Sequence, residues 1–320
     1  MTYTGRIRGA LFGVAAADAL GLPVQFQSRA QVRAKPITGM TGYGAFNKPP
    51  GSWSDDSSLT FCLAESLCNG FELDDLAERF IRWLYNGYWS ADTEAFDVGN
   101  ATMRAIGRLR EGTPPTESGC AEEFSNGNGS LMRIVPLAFH VKDADAPAIF
   151  ERAHEVSAVT HAHPVSLVGC GIYTLCAARL LQGESPAEAC ANAARISAEY
   201  YAQSPFAAAA QRYERVLQDD IARFPEDEIQ SSGYVVHTLE AALWCLLRHD
   251  NYKDAILEAV NLGDDTDTVG AVVGGLAGIH YGYGAIPAKW IGALAKKDDI
   301  SDLADRFEKS VCGEVASEAE

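Results

Sequence analysis

Residues 5–21, GRIRGALFGVAAADALG, and residues 265–281, DTDTVGAVVGGLAGIHY, share a stripe of small residues at every fourth position. Positions four apart lie on one face of an α-helix, so each stripe forms a smooth ridge along its helix. Glycine inside a helix lowers stability by up to ~1 kcal/mol relative to alanine. We therefore expect a compensating close approach of the two helix backbones in the core. The stripes are Gly9, Gly13, Ala17 and Gly21 in the first segment, and Gly270, Gly274 and Gly278 in the second.

Helical periodicity also dominates the rest of the chain. Apolar residues recur at three- and four-residue intervals, and the segments end at glycine or polar residues. Strand-like alternation is scarce, and neither a βαβ rhythm nor a constant repeat is visible. The sequence therefore predicts an all-α fold in a single domain, residues 1–320, with a long irregular stretch at 28–54 that we expect to be functional. The predicted helices lie near residues 5–20, 56–69, 73–87, 95–111, 130–140, 144–159, 164–182, 186–202, 206–217, 236–248, 251–261 and 267–281.

The charge balance narrows the possible partners. The chain has 43 acidic and 26 basic side chains and a formal charge of −17. This field repels nucleic acid and anionic lipid. Metal ions or helix N-termini can still supply positive potential for a phosphorylated ligand. We expect no nucleic-acid partner, while a nucleotide-like ligand stays open.

The distribution of apolar residues and cysteines indicates a cytoplasmic protein. The apolar N-terminal segment resembles a signal peptide only superficially, because Asp18 interrupts it. No run of 18 uninterrupted apolar residues occurs, so we expect no membrane span. The eight cysteines form no CxxC pair and mostly lie in apolar stretches, as core thiols of a reducing compartment do. We also expect a monomer.

Two acidic motifs begin helices that are far apart in the chain. Ser54, Asp55 and Asp56 open the helix of GSWSDDSSLTFCLAESL, and residues 264–268, DDTDT, open that of NLGDDTDTVGAVVGGLAG. Ser, Thr and Asp are favoured N-cap residues, and carboxylates in a first turn interact favourably with the helix dipole. Capping therefore accounts for either motif taken alone.

The density of carboxylates exceeds what capping needs. Capping uses one oxygen acceptor, yet residues 264–268 contain three aspartates and two threonines. If the two motifs met, each pair of charges about 4 Å apart would cost on the order of 4 kcal/mol at an effective dielectric of 20. Hard divalent cations such as Mg²⁺ or Mn²⁺ would turn this repulsion into coordination. Proximity of residues 54–56 and 265–268 is a hypothesis, because spacing along the chain does not establish it.

Two further motifs have structural and functional interpretations. The glycine-rich turn of FSNGNGSLMRIVPLA could bind phosphate through backbone amides, or could simply lead into a helix. The pair His161-x-His163 could suggest a transition-metal site, but Pro164 follows at once and no Glu or Cys stands at a metalloenzyme spacing. We favour neither that site nor a metal phosphohydrolase site at His249–Asp250.

The motifs, taken in chain order, resemble those of the ADP-ribosylglycohydrolase family. The resemblance covers roughly residues 5–290 and is most specific in the SDD and GDDTDT blocks. It implies an all-α, single-domain orthogonal helical bundle with a binuclear magnesium or manganese site in a central cleft. It also implies a hydrolase that removes ADP-ribose from a modified protein or small molecule, with arginine as the expected acceptor. The matching motifs are GALFGVAAADALGLPVQF, GSWSDDSSLTFCLAESL, NGNGSLMRIVPLA, VTHAHP, GYVVHTLEAALW and NLGDDTDTVGAVVGGLAG.

The resemblance also implies roles for individual residues. The ligands of two divalent metal ions, Mg²⁺ or Mn²⁺, would be Ser54, Asp55, Asp56, Asp265, Asp267 and Thr268. The catalytic carboxylates would be Asp55, Asp56, Asp97 and Asp265. The ADP-ribose moiety would be held by Gln25, Gly127, Asn128, Gly129, Ser130 and His161.

Two positions depart from the family pattern. Ser54 stands where many relatives have Thr, and the hydroxyl is kept. Gln25 stands where relatives commonly have Glu, and a neutral amide cannot act as a base. Three alternatives therefore stay open: a metal-dependent ADP-ribose binder with weak or no hydrolysis, a structural protein built on the same bundle, and a metal phosphohydrolase that cleaves the pyrophosphate.

Overall fold

The computed structural model describes residues 3–218 and 220–312. Within these ranges the secondary structure is helical, with isolated β-bridges but no sheet. The all-α fold predicted from the periodicity is confirmed. The α-helices are α1 (Tyr3–Gly21), α2 (Arg29–Ala34), α3 (Asp55–Leu67), α4 (Leu73–Asn86), α5 (Asn100–Arg110), α6 (Val135–His140), α7 (Ala146–Ala158), α8 (Pro164–Leu181), α9 (Pro186–Ala202), α10 (Ala207–Ala210), α11 (Glu214–Leu217), α12 (Val235–Arg248), α13 (Tyr252–Val260), α14 (Thr266–Tyr281), α15 (Ala288–Ala293) and α16 (Lys297–Cys312).

Helices α1 and α14 form a central pair whose backbones touch along the two stripes. An ideal Cβ on Gly13 would lie 2.3 Å from the Gly274 carbonyl oxygen, and one on Gly274 would lie 2.3 Å from the Gly13 oxygen. A Cβ on Gly278 would lie 2.0 Å from the Gly9 oxygen. No side chain fits at such distances, so the predicted close approach is confirmed. We call this contact the glycine seam (Gly9, Gly13, Gly274 and Gly278).

The other large helices enclose this pair in one apolar core. Tyr252 on α13 donates a hydrogen bond to the Gly13 carbonyl oxygen at 2.7 Å, and Tyr173 on α8 donates to the Val272 oxygen at 3.1 Å. The pair is antiparallel, and the C-terminal end of α1 therefore lies beside the N-terminal end of α14. A Cβ on Gly21 there would lie 2.4 Å from the oxygen of the first residue of α14. Side chains from both ends can thus share one site.

Several predicted helix boundaries are wrong. The helix predicted at 95–111 begins at Asn100, and the helix predicted at 130–140 begins at Val135. The segment predicted as one helix at 206–217 is divided into α10, a 3₁₀ turn and α11. In the first two cases irregular backbone replaces the first turns of the predicted helix. Those irregular segments carry residues of the cleft described below.

Helices α2, α15 and α16 were not predicted, and α2 lies in the stretch predicted to be irregular at 28–54. Most residues of helix α16 are polar, so its single apolar face is easily overlooked in the sequence. That face is buried against the core and follows helical spacing, as a surface helix requires. The signal was therefore present in the sequence. Its buried residues are Ile300, Leu303, Ala304 and Phe307.

Within the described part of the chain, two helical segments are long and apolar enough to cross a membrane by length and composition alone, Tyr3–Val24 and Pro164–Leu181. In the folded chain 94% and 83% of their respective apolar windows are buried inside the protein. Core helices of soluble proteins pass the same test, because a helix that is apolar on all sides is expected wherever it is surrounded by protein. These segments are therefore weak evidence for a membrane span.

Candidate active site

The two acidic motifs meet, although 212 residues separate them along the chain. The Thr268 hydroxyl donates to the Asp56 carboxylate at 3.4 Å. Asp55 and Asp265 line the same cleft. The antiparallel pairing of α1 with α14 and the packing of α3 against both helices bring the motifs together. The two acidic motifs, predicted only as a hypothesis to be close, are therefore neighbours in the folded chain.

Capping explains only part of either motif. Ser54 caps α3, because its hydroxyl oxygen accepts a hydrogen bond from the Asp56 amide at 3.2 Å. Asp265 is the N-cap residue of α14, but its side chain makes no capping hydrogen bond. It instead accepts a hydrogen bond from the Asn128 amide nitrogen at 2.7 Å. Capping the N-termini of α3 and α14 therefore does not account for all of these carboxylates.

A further buried carboxylate, Asp18 on α1, supports the first motif and was missed as a site residue. Its oxygens accept hydrogen bonds from the amides of Ser54 at 3.0 Å and Ser57 at 3.1 Å, and from the Ser57 hydroxyl at 2.6 Å. Burial raises the pKa of Asp18 to about 7, against these hydrogen bonds. An aspartate within an otherwise apolar helix was the signal that could have identified it.

The carboxylates of the site repel one another in a buried environment. Burial, followed by the charges of neighbouring aspartates, raises the pKa values of Asp55, Asp56 and Asp267 well above the usual range. Burial also raises the pKa values of Asp97 and Asp265. Among the ion pairs of the described residues, none joins a Lys or Arg to these five groups. These five carboxyl groups therefore approach one another without a salt bridge to a basic side chain within the described residues.

Several oxygen atoms in this region suit a hard cation. Asp56 Oδ1, Asp267 Oδ2 and Gln25 Oε1 are buried and have no hydrogen-bond partner. No group of three or more His, Cys, Asp or Glu side chains within residues 3–218 and 220–312 is placed so that it could hold a metal ion. Hydroxyl and amide oxygens would therefore have to complete each ligand set. The donors present are all oxygen, which fits Mg²⁺ or Mn²⁺ in chemistry.

A cleft of about 950 Å³ opens above these carboxylates. Its volume lies at the upper end of the range for small-molecule sites. Of the residues predicted for the site, those that line the cleft are Gln25, Asp55, Asp97, Gly127, Asn128, Gly129, His161, Asp265 and Thr268. Ser54, Asp56 and Asp267 are buried and do not line the cleft.

A family model described as ADP-ribosylglycohydrolase matches residues 1–315 of this chain. The chain belongs to the ADP-ribosylglycohydrolase family. The family predicted from the motifs is confirmed, and so is the prediction that the chain is a glycohydrolase enzyme.

Two relatives and one solved structure indicate where this glycohydrolase stands in the family. It is 34% identical over 308 residues to the ADP-ribosylarginine hydrolase Tri1 of Serratia proteamaculans, covering 94% of this chain and 78% of Tri1. It is 31% identical over 301 residues to the ADP-ribosyl-[dinitrogen reductase] glycohydrolase of Rhodospirillum rubrum, covering 91% of each chain. A solved ADP-ribosylglycohydrolase-related protein complex superimposes with a TM-score of 0.79 at 32% identity, over 96% of this chain and 98% of that chain. The predicted bundle type is confirmed.

His161 of the glycohydrolase is held neutral and oriented by a chain of hydrogen bonds. Arg133 donates to Thr160 Oγ1 at 2.7 Å, and Thr160 Oγ1 lies 2.8 Å from His161 Nδ1. Because Arg133 can only donate, the Thr160 proton is free for Nδ1, and His161 then carries its proton on Nε2. Burial and the Arg133 charge lower the pKa of His161 to about 3. The ring thus presents a neutral N–H donor beside Gly129, where an added Cβ would lie 3.1 Å from Nε2.

The remaining predicted binding residues divide into two groups. Asn128 is fixed in the cleft, since its side-chain amide also donates to the Thr238 hydroxyl at 2.9 Å. Ser130 faces away, because its hydroxyl contacts Ser157 at 2.7 Å and the Cys170 thiol at 3.4 Å. A direct side-chain contact between Ser130 and a ligand in the cleft is therefore not supported by its placement.

His163, which the sequence analysis did not favour as a metal ligand, has a structural role. It is the N-cap of α8, and its Nδ1 accepts a hydrogen bond from the Val165 amide at 3.2 Å.

Proposed function

We propose that this glycohydrolase removes ADP-ribose from ADP-ribosylated arginine on protein, with two divalent cations, Mg²⁺ or Mn²⁺, bound in its cleft. One relative is named an ADP-ribosylarginine hydrolase, and another is named for ADP-ribosylated dinitrogen reductase. The acidic surface of the chain also favours a cationic acceptor over an anionic one.

The observation that carries the proposal is the convergence of buried carboxylates that form no salt bridge within the described residues. One oxygen each of Asp56, Asp267 and Gln25 is buried without a hydrogen-bond partner, and a buried polar atom without a partner destabilises the fold by about 1–3 kcal/mol. Bound cations would offset this charge, lower the pKa of a water molecule and orient the ribose hydroxyls. The proposed ligands are Ser54, Asp55, Asp56, Asp265, Asp267 and Thr268.

The chain's own groups can balance the protons of N-glycosidic hydrolysis. Water adds to the anomeric carbon, and the carbon–nitrogen bond breaks with its electron pair moving to the guanidine nitrogen. Asp55, on the cleft wall, would accept a proton from the attacking water when bound cations keep it ionised, because burial and neighbouring aspartates raise its pKa in their absence. Asp97 has a raised pKa because of its burial, so its carboxyl group is suited to deliver a proton to the departing nitrogen. Neighbouring carboxylates stabilise the positive charge that develops at the anomeric carbon.

The proposal is tested with arginine- and serine-ADP-ribosylated proteins incubated with Mg²⁺, Mn²⁺ or a chelator. Free ADP-ribose is expected from the arginine-linked substrate only when metal is present. Asp265→Ala combined with Asp267→Ala should abolish metal binding in calorimetry and turnover, while circular dichroism stays nearly unchanged. Retained turnover in this double variant would refute the ligand assignment.

Asp264→Asn provides the matched control. Asp264 belongs to the same motif and lines the cleft, but it is not a proposed ligand. Its backbone has φ of 59°, a conformation that asparagine tolerates. This variant should keep metal affinity and turnover within about threefold of the wild type. Loss of metal binding in the control would show that the whole motif, and not the named ligands, controls the site.

A second candidate function, an ADP-ribose binder with weak or no hydrolysis, is favoured by the placement of Gln25. Its side chain hydrogen-bonds to Asp97 and Asp265 and opposes the rise in their pKa values that burial causes, while Oε1 has no partner. An amide in this position can stabilise carboxylates and offer a neutral oxygen ligand, but it cannot accept a proton. If Gln25→Glu raises turnover without changing ADP-ribose affinity, the binder is the better description. No gain would favour the hydrolase.

We further propose that the enzyme acts as a cytoplasmic monomer. All eight cysteines are free thiols and five of them are buried, which suits a reducing compartment. Size-exclusion chromatography with light scattering tests the oligomeric state.

A further inference from the structure

Three phenylalanine rings form a shelf at one side of the cleft mouth. Phe26 is 70% exposed and lines the cleft. Its ring centroid lies 6.1 Å from that of Phe46, which lies 5.5 Å from that of Phe96. We call these three residues the aromatic shelf. Phe26 directly follows Gln25 in the chain and Phe96 directly precedes Asp97, so the shelf borders the side of the cleft that holds these two polar groups.

The shelf is held in place by its backbone. Phe26 has φ of 68°, and its amide donates to the Asp264 carbonyl oxygen at 2.7 Å. The Asp264 amide in turn donates to the Gln27 oxygen at 2.7 Å. The segment that carries Phe46 packs just as tightly, since a Cβ on Gly44 would lie 1.9 Å from the Pro23 oxygen. The backbone segments that carry Phe26 and Phe46 are therefore held in place by these contacts.

Phe26 has both an unfavourable backbone conformation and an apolar ring exposed to solvent. The left-handed conformation costs a residue with a side chain roughly 1–2 kcal/mol, and glycine or asparagine would relieve it. An isolated exposed aromatic residue needs no explanation, but an exposed ring in a strained conformation, at the mouth of a site, points to function.

The carboxylates near the aromatic shelf favour a cationic group as its binding partner. Asp97, Asp264 and Asp55 line the adjoining cleft. Phe96 of the shelf already has a cation over its ring, because Lys48 Nζ lies 4.6 Å from the Phe96 centroid. No Lys or Arg among the described residues takes that place over Phe26. A planar, weakly hydrated guanidinium stacks on aromatic faces more readily than other cationic side chains.

We propose that the aromatic shelf binds the guanidinium group of the acceptor arginine by stacking on Phe26, and so selects arginine-linked over hydroxyl-linked ADP-ribose. The inference rests on the proposed hydrolase function and deepens it by assigning acceptor specificity to Phe26. Acceptors joined through a serine oxygen present no cation to the ring and gain nothing from it.

The test compares Phe26→Ala and Phe26→Tyr with wild-type enzyme loaded with metal. Phe26→Ala should lower kcat/KM for the arginine-linked protein about tenfold, while kcat/KM for the serine-linked protein and the Kd of ADP-ribose change less than twofold. Phe26→Tyr keeps the ring face and should restore the arginine-linked value. Equal losses on both substrates, or no loss on either, would overturn the proposal.

Phe124→Ala is the matched control. Phe124 is 91% exposed and also lines the cleft, but it lies beside the glycine-rich turn and outside the aromatic shelf. Its replacement should leave the ratio of the two kcat/KM values unchanged. A shift of that ratio equal to the shift caused by Phe26→Ala would show that any exposed ring has the same effect, and would overturn the specific role of Phe26.

Binding of ethylguanidine to the enzyme–ADP-ribose complex separates the two proposals. Calorimetry should detect this binding in wild type and Phe26→Tyr, and show at least a fivefold loss in Phe26→Ala. If wild type releases no ADP-ribose from modified arginine yet still binds ethylguanidine through Phe26, the proposed function fails and the shelf stands. If hydrolysis occurs and ethylguanidine binding does not depend on Phe26, the shelf fails and the function stands.

Discussion

Helices α1 and α14 contribute to both the glycine seam and the acidic cleft. Neutral backbone groups approach closely in the seam, whereas charged side chains approach closely in the cleft. Along the seam, glycines let the backbones of α1 and α14 touch, and neutral groups fill the interface. At the adjoining end, Asp18 from α1 and Asp267 from α14 are both buried carboxylates, and both have raised pKa values. Neutral backbone groups meet along the seam, whereas the cleft brings together carboxylates whose charges repel one another.

The difference between the seam and the cleft shows how a fold can tolerate buried like charges. Proteins are stable by a small margin, so buried like charges have to be offset by favourable packing elsewhere. A rigid, close helix pair immediately beside the site supplies such packing and also fixes the positions of the carboxylates. Changes at the seam should therefore affect stability, and changes at the cleft should affect pH response and metal binding.

The largest effect is expected at the seam. In Gly274→Ala the new Cβ would meet the Gly13 oxygen at 2.3 Å, and backbone atoms cannot move aside cheaply. We expect the free energy of unfolding to fall by about 3 kcal/mol or more in urea denaturation. Gly107→Ala in α5 is the control, because nothing lies within 4 Å of its added Cβ. That variant should be neutral or stabilised by up to ~1 kcal/mol. Similar losses in the two variants would contradict close backbone packing at the seam.

An intermediate effect is expected from pH in metal-free protein. The folded-state pKa of Asp18 is about 7, above its usual value of 3.8. The folded state therefore binds more protons than the unfolded state between these values, so stability is highest at the acidic end and is lost as the pH rises through 7. Each such group contributes a slope of up to about 1.4 kcal/mol per pH unit between its two pKa values. Urea denaturation between pH 5 and pH 7.5 measures it, and saturating Mg²⁺ or Mn²⁺ should flatten the slope.

Asp267→Asn sharpens this measurement. The amide keeps the oxygen that accepts the Thr268 backbone hydrogen bond at 3.0 Å but removes one buried charge. The metal-free variant should be more stable than wild type at pH 7.5 and should show a shallower slope. Stability that rises with pH in metal-free wild type would contradict the repulsion described for the cleft.

The smallest effect is expected at the cleft mouth. Phe26→Gly should be more stable than Phe26→Ala by about 1 kcal/mol, because only glycine relaxes at φ of 68°. Thermal unfolding of the two variants, which both lack the ring, isolates the backbone contribution. Equal stability would mean that the left-handed conformation at this position carries no strain.

Predictions from the sequence succeeded where one physical signal repeats locally. The four-residue stripes indicated the close helix pair, and the density of carboxylates indicated that capping alone was insufficient. They failed where irregular backbone replaced a helical pattern, as at residues 95–99. Ser130 was assigned to the cleft with the rest of its turn, yet consecutive side chains of a turn point in different directions, and its hydroxyl contacts Ser157.

By itself, the sequence determined the all-α class, the glycine seam and the acidic starts of α3 and α14, because helical periodicity and composition are properties of neighbouring residues. Only the tertiary structure decided that Asp18 supports the Ser54 turn, that Gln25 contacts Asp97 and Asp265, and that Arg133 orients His161 through Thr160. Each of these contacts joins groups whose meeting depends on how whole helices and turns pack. The spacing of residues along the chain does not show these contacts, because they form only when the helices pack together in the core.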